Sequence, residues 1–288
     1  MKKYLIGLVL ISAACSKQNY TMPAQSEQFA SSVTYNNKVD VLMMIDNSSS
    51  MTTYQNRLAD QTKGMIDVLN KLGMDYHIAV VTSDLSGSHP TGGKFIGSPK
   101  VITNTTVNVS EVLKARIAQG SEGSDLEEGL ESVKKSLSLT NPDLNSFLRS
   151  EALLAVVALT NEDDYSRGSS DDYLQFFSQL KPDFPKNGNF GGGRAWMMNF
   201  IGVPNLDSKC STSLGGSYKE PGKKWMDLAK ASGGRIESIC ESSLGAAVSN
   251  IQQLIMYALT DFKLDRKPKK STLVVKVNGV VISESTEN

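Results

Sequence analysis

Two uninterrupted apolar runs, Val41-Leu-Met-Met-Ile45 and Leu153-Leu-Ala-Val-Val-Ala-Leu159, constrain what this chain can fold into. A strand with one wet face alternates apolar and polar residues. A run with no polar residue predicts a strand buried on both faces, and such strands belong to parallel sheets covered by helices on either side. The intervening segments carry the complementary pattern. Leu58, Met65, Ile66, Leu69 and Leu72 recur every three to four residues, predicting a helix over 55–72 that Gly73 ends. Similar reasoning places helices at 109–117, 124–137 (with Leu126, Leu130, Val133 and Leu137 inward), 171–180, 225–232 and 244–259, and a helical turn at 145–149. Strands are expected at 38–45, 76–82, 153–159, 196–203 and 235–239, with a short edge strand near 100–103. Strands alternating with helices make βαβ units. The expected fold class is therefore α/β: a doubly wound, mostly parallel, Rossmann-like sheet flanked by helices. After a basic stretch, Arg266-Lys-Pro-Lys-Lys270, two β-rich runs around Asn278-Gly279 predict a short C-terminal β-hairpin.

The N-terminus reads as a sorting segment. Lys2 and Lys3 precede a short apolar stretch, Leu5 to Ile11, that cannot span a bilayer as a helix. Ser12-Ala13-Ala14 is a small-residue cleavage region, and Cys15 follows at once. This resembles a bacterial lipoprotein signal, which implies that Cys15 is the lipidated first residue of a mature chain; the alternative is an ordinary secretory signal. Ser16 after the cysteine favours the outer membrane over the inner. The expected organisation is a signal peptide at 1–14, a polar tether at 15–36, one domain at 37–261 and a β-rich segment at 262–288. Export makes a disulfide the expected state of Cys210 and Cys240. Closing a loop of that length is worth roughly 3–4 kcal/mol in the chain-entropy model. A formal net charge of zero provides no basic field for nucleic acid.

Asp46-Asn47-Ser48-Ser49-Ser50 follows the first buried strand, and a helical pattern begins behind it. A carboxylate and hydroxyls at the C-terminal mouth of a strand are the oxygen ligands that hard divalent cations prefer, at the end of the sheet where open α/β folds bind ligands. Gly123-Ser124-Asp125 and Thr160-Asn161-Glu162-Asp163-Asp164 converge on the same mouth in this architecture. Together these segments resemble the von Willebrand factor A domain and its metal-ion-dependent adhesion site (MIDAS), over roughly residues 37–260. The resemblance implies that Ser48, Ser50 and Ser124 give hydroxyl oxygens to a cation, with Asp46 and Asn161 beside it through water. Ser124 stands where the family carries a threonine, and Asn161 where it carries an aspartate. The neutral residue leaves two outcomes open, a weaker metal site or a stronger pull on an acidic partner, and Glu162, Asp163 or Asp164 could compensate from the same loop.

The expected cofactor is Mg²⁺, or Mn²⁺ or Ca²⁺. The expected function is adhesion: a cell-envelope, lipid-anchored binding protein that holds a protein or envelope ligand offering a carboxylate. The alternative is an envelope scaffold or assembly factor whose site works without metal. An enzyme is not expected. Gly92-Gly93-Lys94 lacks the first glycine and the following hydroxyl of a phosphate loop, so nucleotide is not expected, and no Gly-x-Ser-x-Gly elbow exists. His77 reads as a packed strand residue, His89 as a loop residue, and Trp196 and Trp225 as core.

Overall fold

The computed structural model describes residues 37–85, 91–185, 193–205, 210, 220–260, 269, 274–277 and 280–282. Six strands form the main sheet: β1 (Lys38–Ile45), β2 (Asp75–Thr82), β3 (Ile102–Thr103), β4 (Leu153–Leu159), β5 (Trp196–Gly202) and β6 (Ile236–Ser238). Their spatial order is β3-β2-β1-β4-β5-β6. Every pairing is parallel except that of β3, which runs antiparallel to β2 at one edge. The expected α/β, doubly wound class is the one observed.

The apolar runs explain the layering. Along β1, Val39, Val41, Met43 and Ile45 enter one core, while Leu42 and Met44 enter the other. β4 divides the same way, with Leu153, Ala155, Val157 and Leu159 on one face and Leu154, Val156 and Ala158 on the opposite one. Alternate side chains point to opposite faces, so a strand covered on both sides needs apolar residues at every position.

The first core is closed by α1 (Thr52–Ala59), α2 (Thr62–Lys71) and α3 (Val109–Ile117). The C-terminal helix of this layer (Gly245–Thr260) also packs there, through Val248, Ile251 and Ile255. The second core is closed by α4 (Gly129–Ser136), α5 (Leu144–Phe147), α6 (Ser170–Leu180) and α7 (Lys223–Ser232). Trp196 and Trp225 are buried in it, as expected. Gly233, at φ 75°, supplies the left-handed residue that ends α7. We call the C-terminal helix α8.

Two helices differ from the sequence pattern. The helix expected over 55–72 is split into α1 and α2 at Asp60-Gln61. There the Gln61 N–H turns to the Leu58 carbonyl at 2.9 Å, and the Thr62 hydroxyl donates to the Ala59 carbonyl at 2.9 Å, which stops the first helix. The helix expected from Ser124 starts only at Gly129. Leu126, expected inward, is 51% exposed, and its neighbour Glu127 is 3% exposed. Residues 124–128 are a loop laid across the strand ends, and Glu128 N–H bonds the Ser83 carbonyl at 3.1 Å.

At the opposite, N-terminal edge of the sheet Asp40 is fully buried. Arg149 holds it through its backbone N–H at 2.7 Å and its Nε at 2.8 Å, and reaches Asp75 Oδ1 at 2.7 Å. Burial raises the Asp40 carboxyl above its ordinary range, and the hydrogen bonds and charge of Arg149 oppose the shift. His77 packs here with Nδ1 2.9 Å from the Phe147 carbonyl. Cys210 and Cys240 form the expected disulfide. Among the described residues no helix is long and apolar enough to cross a membrane.

β7 (Val275–Val277) and β8 (Val280–Ile282) pair antiparallel in a separate unit, as the two β-rich runs predict. Asn278-Gly279, expected to turn between them, the N-terminal segment with Cys15, and His89 lie outside the described residues.

Candidate metal centre

Doubly wound sheets bind ligands outside the carboxyl ends of their strands, where the strand order reverses. In this sheet the reversal lies between β1, whose chain continues to β2, and β4, whose chain continues to β5. Asp46 follows β1 and Thr160-Asn161 follow β4, so both loops open at that point. Backbone hydrogen bonds carry the pairing beyond the strands. Asp46 N–H donates to Leu159 O at 3.0 Å, Ser83 N–H to Ile45 O at 3.3 Å and Thr160 N–H to Ile201 O at 3.3 Å.

Asp46 is fully buried and organises the loops around it. Its Oδ1 accepts from the Ser48 N–H at 2.8 Å and the Ser83 hydroxyl at 3.4 Å. Its Oδ2 accepts from the Thr160 hydroxyl at 2.8 Å. Gln55 on α1 fixes the backbone: its amide donates to the carbonyls of Asp46 (2.7 Å) and Gly120 (2.9 Å) and accepts from Gly120 N–H at 2.9 Å. The loop before α4 is drawn in by Gly123 N–H on Asn47 O at 2.9 Å. A side chain at 123 would put its Cβ 2.5 Å from Asn47 Cγ, so it would have to displace the buried Asn47 side chain.

The five residues singled out by the sequence are distributed as follows. Asp46, Ser48, Ser50 and Asn161 meet in one place; the Asn161 amide nitrogen is 3.0 Å from Ser50 Oγ and donates to it. Ser124 lies on the adjoining loop between Gly123, bonded to Asn47, and Asp125, whose carboxylate accepts from the Ser49 hydroxyl at 3.2 Å. The Ser124 hydroxyl accepts from Leu126 N–H at 3.0 Å, which leaves it a lone pair and its proton.

Glu127, Thr160, Ser83 and Gln55 complete the site and were not among the sequence candidates. Thr160 and Ser83 carried a signal, because each directly follows a buried strand. Glu127 carried none, since it falls on the polar side of the helical pattern that places Leu126 inward. Thr160 Oγ1 lies 3.0 Å from Glu127 Oε2, 2.8 Å from Asp46 Oδ2 and 3.2 Å from Glu162 N. A hydroxyl has one proton to give. It goes to Asp46, and a protonated Glu127 then donates to Thr160. Burial pushes the Glu127 carboxyl up to about 10, the Asp46 carboxylate and the charge of Glu162 add to the shift, and Ser48, nearby but outside hydrogen-bond geometry, opposes it.

The acids of the 162–164 loop have separate duties. Asp163 Oδ1 accepts from Lys224 N–H at 2.9 Å, at the start of α7. Asp164 accepts from Leu130 N–H at 2.9 Å and Ser166 N–H at 3.0 Å, and Ser166 Oγ accepts from Glu131 N–H at 3.0 Å. Together Asp164 and Ser166 satisfy two of the free N–H groups that open α4, those of Leu130 and Glu131. Burial raises the Asp164 carboxyl to about 6, against these hydrogen bonds and the charge of Lys224. Of the acids expected to compensate, Asp163 and Asp164 are thus engaged by helix N–H groups.

Three buried oxygens at the site have no hydrogen-bond partner: Ser48 Oγ, Asn161 Oδ1 and Glu127 Oε1. A buried polar atom left unsatisfied costs about 1–3 kcal/mol. A hard cation would satisfy such oxygens together, so the donor set fits one. Among the described residues no three His, Cys, Asp or Glu side chains stand where they could hold one ion. A cation here would take its oxygens largely from hydroxyls and an amide.

Fold and site together define a doubly wound α/β protein with an oxygen-lined centre at its switch point. No protein-family model matches the chain, and no curated protein does. Solved structures it is similar to include proximal thread matrix protein 1 from the mussel byssus, at 13% identity and a TM-score of 0.41, covering 76% of this chain and 47% of that one. Another is the same mussel protein with a zinc-occupied MIDAS motif, at 13% identity and a TM-score of 0.41, covering 77% and 48%. The chain spans about half the length of these proteins.

Proposed function

We propose that this chain is a binding protein of the von Willebrand A type, in which a divalent cation at the β1–β4 mouth captures a carboxylate of a protein or envelope partner. The observation that carries the reading is the group of partnerless buried oxygens, Ser48 Oγ and Asn161 Oδ1 among them, beside a buried Asp46 held by hydrogen bonds on both its oxygens. Ser48, Ser50 and Ser124 would hold the cation directly, and Asp46 and Asn161 through water. Mg²⁺, Mn²⁺ and Ca²⁺ all accept such oxygens, and Mg²⁺ characteristically retains several waters. When bound, the cation supplies an under-neutralised positive charge that attracts an anionic ligand. The protein positions it, and the buried strand ends keep the ligand set rigid.

Export, lipidation at Cys15 and an outer-membrane location belong to the same proposal, supported by the N-terminal sequence; a role in adhesion is supported by the likeness of Asp46, Ser48, Ser50, Ser124 and Asn161 to an adhesion-type site. A second reading, a metal-independent envelope scaffold, is favoured by one observation: the Asn161 amide already donates to Ser50, closing part of the site without a metal.

Melting curves separate the two. A ligand that binds only the folded state at a hundred times its dissociation constant stabilises by about 2.7 kcal/mol, which for a domain of this size is a rise of about 5–10 °C. Mg²⁺ or Mn²⁺ should raise the melting temperature by that order and chelator should reverse it. Equal melting under all conditions selects the scaffold. A Ser48→Ala, Ser50→Ala double variant that still captured envelope extract in a Mg²⁺-dependent manner would remove this site from the mechanism.

A further inference from the structure

We propose that Glu127 is a ligand of the centre and supplies the second carboxylate that the amide of Asn161 does not. The proposal rests on the metal reading above and names the residue that completes it.

Charge frames the question. Of Asp46, Ser48, Ser50, Ser124 and Asn161, only Asp46 brings a negative charge. A divalent cation held by one carboxylate, hydroxyls and an amide in a buried site keeps an excess charge with little water to screen it. The acids of the 162–164 loop do not all remain to correct this. Asp163 is engaged by Lys224 N–H and Asp164 by Leu130 and Ser166 N–H.

Glu127 has the placement these residues lack. It lies beside Asp46 and Ser48, across the Thr160 hydroxyl. One of its oxygens, Oε2, is linked through the Thr160 hydroxyl to Asp46 Oδ2. The other, Oε1, is buried and has no partner, like Ser48 Oγ and Asn161 Oδ1. A carboxyl kept only for structure would use both oxygens, because an unsatisfied buried acceptor is a cost with no return. The backbone holds the residue on both sides: Tyr165 N–H donates to Glu127 O at 2.9 Å, and Glu128 N–H to Ser83 O at 3.1 Å. That tether explains why the chain leaves Leu126 in solvent in order to bury Glu127.

The test is a calorimetric titration of Mn²⁺ into four proteins: unaltered, Glu127→Gln, Asn161→Asp and the double variant, each also melted in chelator. Glutamine keeps a donor for Thr160 and removes the carboxyl that would give up its proton to a bound cation and become a carboxylate. Glu127→Gln should bind Mn²⁺ about 10- to 100-fold more weakly, with its chelator melting temperature held. Asn161→Asp in that background should restore most of the affinity, and should gain less in the unaltered background. Unchanged affinity in Glu127→Gln, or an equal gain from Asn161→Asp in both backgrounds, overturns the role of Glu127 while leaving the metal centre standing. No binding by the unaltered protein overturns the metal reading and this proposal together. If Glu127→Gln does not fold, Glu127→Asp replaces it. Withdrawing the carboxylate by one methylene should weaken Mn²⁺ binding, and unchanged affinity again overturns the proposal.

Discussion

Asn161 illustrates what a single atom changes. An aspartate there would offer two acceptor oxygens; the amide offers one oxygen, left without a partner, and a donor spent on Ser50. The site therefore ties down its own hydroxyl on one side and stays open on the other. Asp164 shows the other common fate of a buried acid, a helix cap. Its folded pKa, raised to about 6, lies above the ordinary aspartate value of 3.8. Between those values the folded chain binds a proton that the unfolded chain does not. Its contribution to stability is therefore fully present below about pH 4 and lost as pH rises through 6. In chelator, Asp164→Asn should flatten the fall in melting temperature between pH 4 and 7; an unchanged slope there would show that Asp164 does not carry it. None of this is visible at the level of residue type. Asp163, Asp164 and Glu162 read alike in the sequence, and only the backbone path shows that Asp163 and Asp164 accept from helix N–H groups.

The elements themselves were largely legible. The two apolar runs announced β1 and β4, because burial on both faces removes every polar residue from a strand. The end of β1 placed Asp46, Ser48 and Ser50, and the end of β4 placed Asn161. What periodicity could not reveal was where a helix stops short. Thr62 interrupts the pattern of 55–72 with a side-chain hydrogen bond, and Asp164 and Ser166, far along the chain, set the start of α4. Spacing within one segment carries no information about a cap supplied by another, so Leu126 and Glu127 exchanged their expected places. The opposite edge of the sheet behaves as a structural clasp. Asp40 on β1 lies about 20 Å along the strand from Asp46, and Arg149 joins it to β2. Arg149→Met should cost about 3–5 kcal/mol in denaturant unfolding, because it leaves a buried carboxylate without its partner. Mn²⁺ affinity should be unchanged. A stable variant would mean that Asp40 takes up a proton at little cost, and a loss of affinity would mean that the two edges are coupled.

At the scale of the molecule, the fold puts the Asp40–Arg149 clasp and the proposed ligand site at opposite ends of the same strands. Two apolar cores and the Cys210–Cys240 disulfide hold the sheet. The C-terminal strand ends are then free to collect polar groups that would be costly elsewhere. The proposed tether behind Cys15 would let it reach a partner from a membrane surface. Because the site draws on loops after β1, β2 and β4 and on the segment before α4, a bound cation would couple four parts of the chain. Its removal should then lower the stability of the whole unit rather than loosen one loop. The most direct measurement is calorimetric titration of Mn²⁺ into the unaltered protein and into Ser48→Ala. The account predicts one site per chain in the first and affinity lowered at least about tenfold in the second. No binding by the unaltered protein, or equal affinity in Ser48→Ala, would contradict it.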